Sequence, residues 1–122
     1  MKLVVNCIMG TMMTSLSEGL ALAQASGLDA ADLLSVLDSG AIANPMFRMK
    51  GPAMAAGGPF PPAFPLKHQQ KDMRLALQLG DQLGVSMPVA AASNEAFKRA
   101  RADGHGDNDF AAVHTSTTKG NK

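Results

Sequence analysis

The sequence predicts an all-α domain of about six helices, the first of them long. Three observations carry that prediction. Apolar residues recur at three- and four-residue steps along most of the chain, and no run alternates cleanly at period 2 as a half-buried strand does. Met and Ala are plentiful while Tyr and Trp are absent, a composition that favours helix over sheet. Helix starters and stoppers also stand where the periodicity changes: Asp29, Asn44-Pro45 and Pro88 ahead of apolar runs, Gly27 and Gly104 after them.

Met1 to about Ser26 reads as one long helix. Leu3, Cys7, Gly10, Thr14 and Ser17 trace one stripe, and Val4, Ile8, Met12 and Leu16 an apolar one beside it. Gly27 is a natural C-terminal cap. Asp29 is expected to cap a second helix to about Asp38 that buries Leu33, Leu34 and Leu37. Asn44-Pro45 starts a short third element with Met46, Phe47 and Met49. Gly51 to Pro65, rich in glycine and proline, reads as a loop that Phe60 and Phe64 hold down. A fourth helix runs from Leu66 to Gly80 or Leu83, and a fifth from Pro88 to about Ala102. Asp107 or Asp109 is expected to cap a last helix, Phe110 to about Ser116, with a frayed polar tail from Thr117 to Lys122.

The chain has 122 residues, of which 46 % are apolar, enough for one domain with a buried core and too many for a disordered chain. The net charge of +1, scattered basic residues and few aromatics give no footprint for nucleic acid. The apolar stretch Leu3 to Met13 is too short to span a bilayer, so no membrane segment and no targeting segment is expected. A single cysteine, Cys7, excludes an internal disulfide, reads as a buried structural thiol and suits a reducing compartment. His68, His105 and His114 are far apart and no H-x-x-x-H or C-x-x-C occurs, so no metal site is expected. Of the nine methionines, six cluster in Met9 to Met13 and Met46 to Met54, and they read as flexible core filler.

Two constellations could carry chemistry. Lys2 and Asn6 lie four apart on a helix and so share a face. A lysine can protonate an alkoxide as hydride arrives, and an asparagine can orient the oxygen or the ammonium. The same spacing fits a solvated lysine beside an ordinary polar residue. In the run Phe64 to Asp72, Lys67 and Lys71 share one face, and His68 and Asp72 the next. A basic stripe at a helix start can meet an anion, and Asp72 could hold a nearby ammonium. From spacing alone, a charged, solvated first turn with a His–Asp surface pair is the commoner arrangement.

Several stretches in order resemble a known family. Lys2-Leu3-Val4-Val5-Asn6 resembles the second half of the catalytic signature G-x-G-x-x-x-K-x-x-x-N of the β-hydroxyacid dehydrogenases, the 3-hydroxyisobutyrate dehydrogenase-related family. Ser17 to Ala23, Gly27-Leu28, Asn44 to Phe47, Pro62 to Leu77, Met87 to Ala90 and Asn94 to Lys98 continue the match in family order. The Lys67-His68-Gln69-Gln70-Lys71-Asp72-Met73-Arg74 run is particularly similar to the plant-type glyoxylate/succinic semialdehyde reductases.

The resemblance implies a helical domain like the C-terminal domain of 6-phosphogluconate dehydrogenase, with the first helix bridging to a Rossmann domain that binds NADP and is not in this chain. It implies Lys2 as general acid/base and Asn6 as the residue that positions substrate and Lys2. Phe64 and Asp72 would lie at the substrate, and Phe64 and Lys71 at the cofactor. The substrates would be small aldehydes bearing a carboxylate, and the compartment the cytoplasm, a plastid or a mitochondrion. The partners would be further copies of the chain or a Rossmann domain. A second expectation is a catalytically inactive helical module for dimerisation or interaction.

Overall fold

One helix, α1 (Lys2–Ala25), forms the axis on which all the others pack in the computed structural model, which describes residues 1–119. Its buried stripe contains Cys7, Gly10, Met13, Ser17 and Leu20. The expected stripe through Cys7, Gly10, Thr14 and Ser17 is therefore the core face. Of the adjacent stripe only Leu16 is buried, while Val4 and Ile8 are exposed. By length and composition α1 could cross a bilayer. Packing against the other helices accounts for the buried part of that apolar character, 39 % of the span.

Along the chain follow α2 (Ala30–Asp38), α3 (Pro45–Ala56), α4 (Leu66–Leu83), α5 (Pro88–Ala102), a 3-10 turn (Phe110–Ala112) and α6 (Val113–Thr118). α4 and α5 pack on each other and both lie against α1, with α6 closing the far side. The core joins Leu20, Met54, Leu66, Met73, Phe97 and Val113, all fully buried. Three of the nine methionines, Met13, Met54 and Met73, fill this core. Met49 instead faces solvent. The only β-type pairing among the described residues is an isolated antiparallel bridge between Pro65 and Asp109.

The local signals act as their chemistry requires. Asp29 accepts from the backbone N–H of Ala31 at 2.7 Å and of Asp32 at 3.2 Å, satisfying two orphan donors at the start of α2. Asn44 does the same for Phe47 at 3.0 Å, with Pro45 at the first helical position. Of the two candidates for the last cap, Asp109 is the one used: its Oδ2 accepts from Ala111 N at 3.1 Å. Asp107 instead pairs with Lys67 at 2.6 Å.

Three expectations are corrected. α2 buries none of its residues; Leu33, Leu34 and Leu37 are half-buried at the edge of the core. The loop expected from Gly51 begins only at Gly57, because α3 runs through Gly51 and Pro52 to Ala56. Gly51 is there to let α2 approach: a Cβ on it would meet Leu34 Cδ2 at 2.6 Å. Pro52 faces solvent, and burial of Met54 two residues on outweighs the one backbone hydrogen bond the proline cannot donate. Gly57, at φ 81°, ends the helix in the left-handed conformation. Finally, Thr117 is tied down rather than frayed, since it receives a hydrogen bond from Ser17 Oγ at 2.8 Å and donates to Val113 O at 3.1 Å. Lys119 pairs with Asp103 at 3.0 Å. The rest of the expected tail, residues 120–122, lies outside the described residues.

Candidate functional site

The first two turns of α1 and the first half of α4 bring together most of the residues that the sequence singles out. Asn6 Nδ2 donates to Asp72 Oδ2 at 2.8 Å, across 66 residues of chain. A carboxylate only accepts, so this contact fixes which end of the Asn6 amide faces Asp72. Asn6 Oδ1 is left as an acceptor for an ammonium or a hydroxyl. Lys2 stands one turn before Asn6 on the same face of α1 and is exposed. It makes no ion pair among the described residues, and Asp72 meets Asn6 rather than the lysine.

Gln69 builds this junction, and its role is not visible in the sequence. Its side chain is fully buried between α1 and α4, and Nε2 donates to the carbonyl of Asn6 at 2.9 Å. Gly10 makes the space, since a Cβ there would lie 2.5 Å from that same nitrogen. Gln69 stands three residues before Asp72, so the amide that grips the backbone of Asn6 and the carboxylate that grips its side chain share a face of α4. A glycine within a long helix, four residues after an asparagine, is the one signal that could have pointed to a close helix crossing. Gln69 Oε1 has no hydrogen-bond partner among the described residues.

Phe64 ends the loop that leads into α4 and is half-buried. Its ring meets His68 at a centroid distance of 6.4 Å and the edge of Phe110 at 5.8 Å. His68, Lys71 and Asp72 follow at helical steps on one side of α4, so Phe64 begins a line that ends at the Asn6–Asp72 contact. Lys71 is exposed on this line and forms no ion pair among the described residues. Lys67, expected beside Lys71, is instead engaged with Asp107.

Away from this face the buried polar groups are paired with one another. His114 Nδ1 lies 2.9 Å from Ser17 Oγ, and burial pushes its pKa below the ordinary value of 6.5, with the Ser17 contact opposing. Thr14 and Ser93 hydroxyls meet at 2.7 Å, joining α1 to α5. Gln70 accepts from Arg101 at 2.6 Å and donates to Asn94 at 3.0 Å. Burial also pushes the Cys7 thiol up, in keeping with a structural cysteine. No three His, Cys, Asp or Glu side chains converge among the described residues.

The domain is thus all-α and built around one long helix, with a lysine and an asparagine at one end of it and a carboxylate from a second helix against the asparagine; its class follows from the family it matches. Residues 1–116 match the family described as NAD-binding of NADP-dependent 3-hydroxyisobutyrate dehydrogenase, and the chain belongs to that family. It is 66 % identical over 113 residues to glyoxylate/succinic semialdehyde reductase 1 of Arabidopsis thaliana, a match that takes in 93 % of this chain and 39 % of that protein. It is 55 % identical over 113 residues to the chloroplastic reductase 2 of the same plant, covering 93 % of this chain and 31 % of that one. Among solved structures, 3-hydroxyisobutyrate dehydrogenase from Salmonella typhimurium superposes with a TM-score of 0.86 at 23 % identity, over 93 % of this chain and 40 % of that one. That likeness establishes the fold. The chain thus spans about two fifths of the length of the first of these relatives.

Proposed function

We propose that this chain is the helical half of an NADPH-dependent reductase of small aldehydes bearing a carboxylate, converting glyoxylate to glycolate and succinic semialdehyde to 4-hydroxybutyrate. The observation that carries the reading is the Asn6–Asp72 contact with Lys2 one turn away, in a chain 66 % identical to a reductase of those two substrates. NADPH, when bound, supplies the hydride. Lys2 gives a proton to the carbonyl oxygen as negative charge grows on it, and takes the proton in the reverse direction. Asn6, its amide turned by Asp72, offers Oδ1 to the Lys2 ammonium or to the substrate hydroxyl. Phe64 and Lys71 fit a large anionic cofactor with a planar ring system: one offers a half-buried ring, the other a free cation on the same edge of α4. Lys2, Asn6, Phe64, Lys71 and Asp72 are the site residues of this proposal.

The dinucleotide itself needs a strand–glycine turn–helix unit, and the described residues contain no strand. The 122-residue chain alone is therefore expected to turn over neither aldehyde. Grafted in place of the matching segment of the Arabidopsis reductase 1, it is expected to support NADPH-dependent reduction of both. A graft that folds and binds NADPH but reduces neither aldehyde would count against the proposal. Turnover by the isolated chain would remove the need for a second half.

A second reading, a non-catalytic helical module, is favoured by one feature. Leu3, Val4, Ile8, Leu79 and Leu83 line an open apolar groove of about 280 Å³. Such a surface calls for a partner, either a further copy in a homo-oligomer or a Rossmann half. By analogy with the relatives, the compartment proposed is the cytoplasm or an organelle.

A further inference from the structure

We propose that Asp109, held by Lys50, is the positioning residue that sets Phe64 in the candidate site. The inference rests on the reading that Phe64 belongs to that site. The segment Pro61-Pro62-Ala63-Phe64-Pro65 contains three prolines, so it has only two backbone N–H groups. Both donate to the same atom, Asp109 Oδ1, at 3.1 Å from Ala63 and 3.0 Å from Phe64. The carbonyl of Phe64 accepts from Phe110 N at 2.9 Å. The peptide groups on both sides of Phe64 are thus gripped by the Asp109–Phe110 step. The Phe64 ring rests against the edge of Phe110.

The clamp has its own counter-charge. The Asp109 side chain is 3 % exposed, and a carboxylate that deep needs an opposite charge as well as hydrogen bonds. Lys50 supplies it from α3, with Nζ 3.1 Å from Oδ1 and 5.6 Å above the Phe110 ring. The other oxygen, Oδ2, is occupied as the cap of the 3-10 turn. One buried pair therefore ties α3, the 3-10 turn and the Phe64 loop together. Through it α3, which provides none of the proposed site residues, sets where the Phe64 ring can stand.

Amide hydrogen exchange by NMR on the 122-residue chain tests the clamp without any need for activity. In Asp109→Ala the amides of Ala63 and Phe64 are expected to exchange roughly tenfold faster or more, while those of Cys7 and Met73 in the α1–α4 contact change by less than about twofold. If Asp109→Ala does not fold, Lys50→Met carries the test with the same expected pattern, and Lys50→Arg restores the protection. Unchanged protection at Phe64, or equal acceleration at all four amides, overturns the proposal. In the grafted reductase, Lys50→Met is expected to raise KM by about fivefold or more with kcat within about threefold, and Lys50→Arg to bring it back. A fall in kcat at constant KM overturns the positioning role. An inactive unmutated graft counts against the reductase reading alone, and the exchange pattern still decides the clamp.

Discussion

The two ends of α1 have similar apolar content and opposite surroundings. From Met13 onward the helix buries Met13, Leu16, Ser17, Leu20, Ala21 and Ala23. In its first two turns Val4 is 54 % and Ile8 56 % exposed, and Lys2 and Asn6 occupy the same stretch. The C-terminal end sets one face into the core and leaves Leu22 outside it; the N-terminal end is an open apolar surface that, in the proposed function, carries the chemistry. One helix can serve both because the crossing at Gly10 separates them. There Gln69 and Met73 of α4 come close enough that a methyl group would lie 2.5 and 2.7 Å from their side-chain ends. Tight packing at the crossing fixes where Asp72 meets Asn6, and the open end leaves Lys2 accessible.

The largest expected effect separates the two ends. Leu20→Ala should cost about 2–5 kcal/mol of unfolding free energy, since Leu20 is fully buried. Ile8→Ala in the isolated chain should cost no more than about 0.5 kcal/mol. Urea unfolding of the two variants measures both, and equal losses would erase the distinction.

Gly10→Ala sharpens the comparison at the boundary. The added methyl must displace the Gln69 amide or Met73, at a cost of about 1–3 kcal/mol. It should also release the hydrogen bond from Gln69 to Asn6, which an NMR spectrum of the side-chain amides reports. A variant as stable as the parent, with the Gln69 amide resonances unmoved, would show that the crossing is looser than the distances indicate.

A smaller effect belongs to the core end alone. The pKa of His114 is lowered in the folded chain, chiefly by burial. As pH falls, the unfolded chain therefore takes up the proton first. The neutral His114–Ser17 contact is fully compatible with folding above about pH 6.5, and stability drops as pH falls below that value toward the lowered folded pKa. Comparing urea midpoints at about pH 8 and about pH 5.5 shows the loss, and His114→Gln should flatten part of it. An identical pH dependence in that variant would remove His114 as its source.

How far the sequence shows these features depends on the range of the interaction. The caps at Asp29 and Asn44 and the stop at Gly27 act within three residues, and each lies where the sequence places it. Gly51-Pro52 misleads for the converse reason. Both residues disfavour helix locally, yet α3 continues through them because Leu34 of α2 presses on Gly51 and Met54 is buried beyond. The site divides in the same way. Lys2 and Asn6 share a face by simple spacing, Lys71 and Asp72 stand out in the charged run from Phe64 to Asp72, and the resemblance to a family joins them with Phe64 in one candidate site. Gln69 and the Lys50–Asp109 pair are invisible to both kinds of reading, because their partners lie far along the chain and no local pattern marks them.

The most direct test is Lys2→Ala in the grafted reductase, with turnover and NADPH affinity measured on the same preparation. Loss of a positioned general acid should lower kcat by about 10²–10⁴-fold with glyoxylate and with succinic semialdehyde, while NADPH binds within about twofold of the unmutated graft. Turnover within about threefold of the parent would contradict the assignment of Lys2, and with it the claim that the open end of α1 is where this domain meets its substrate.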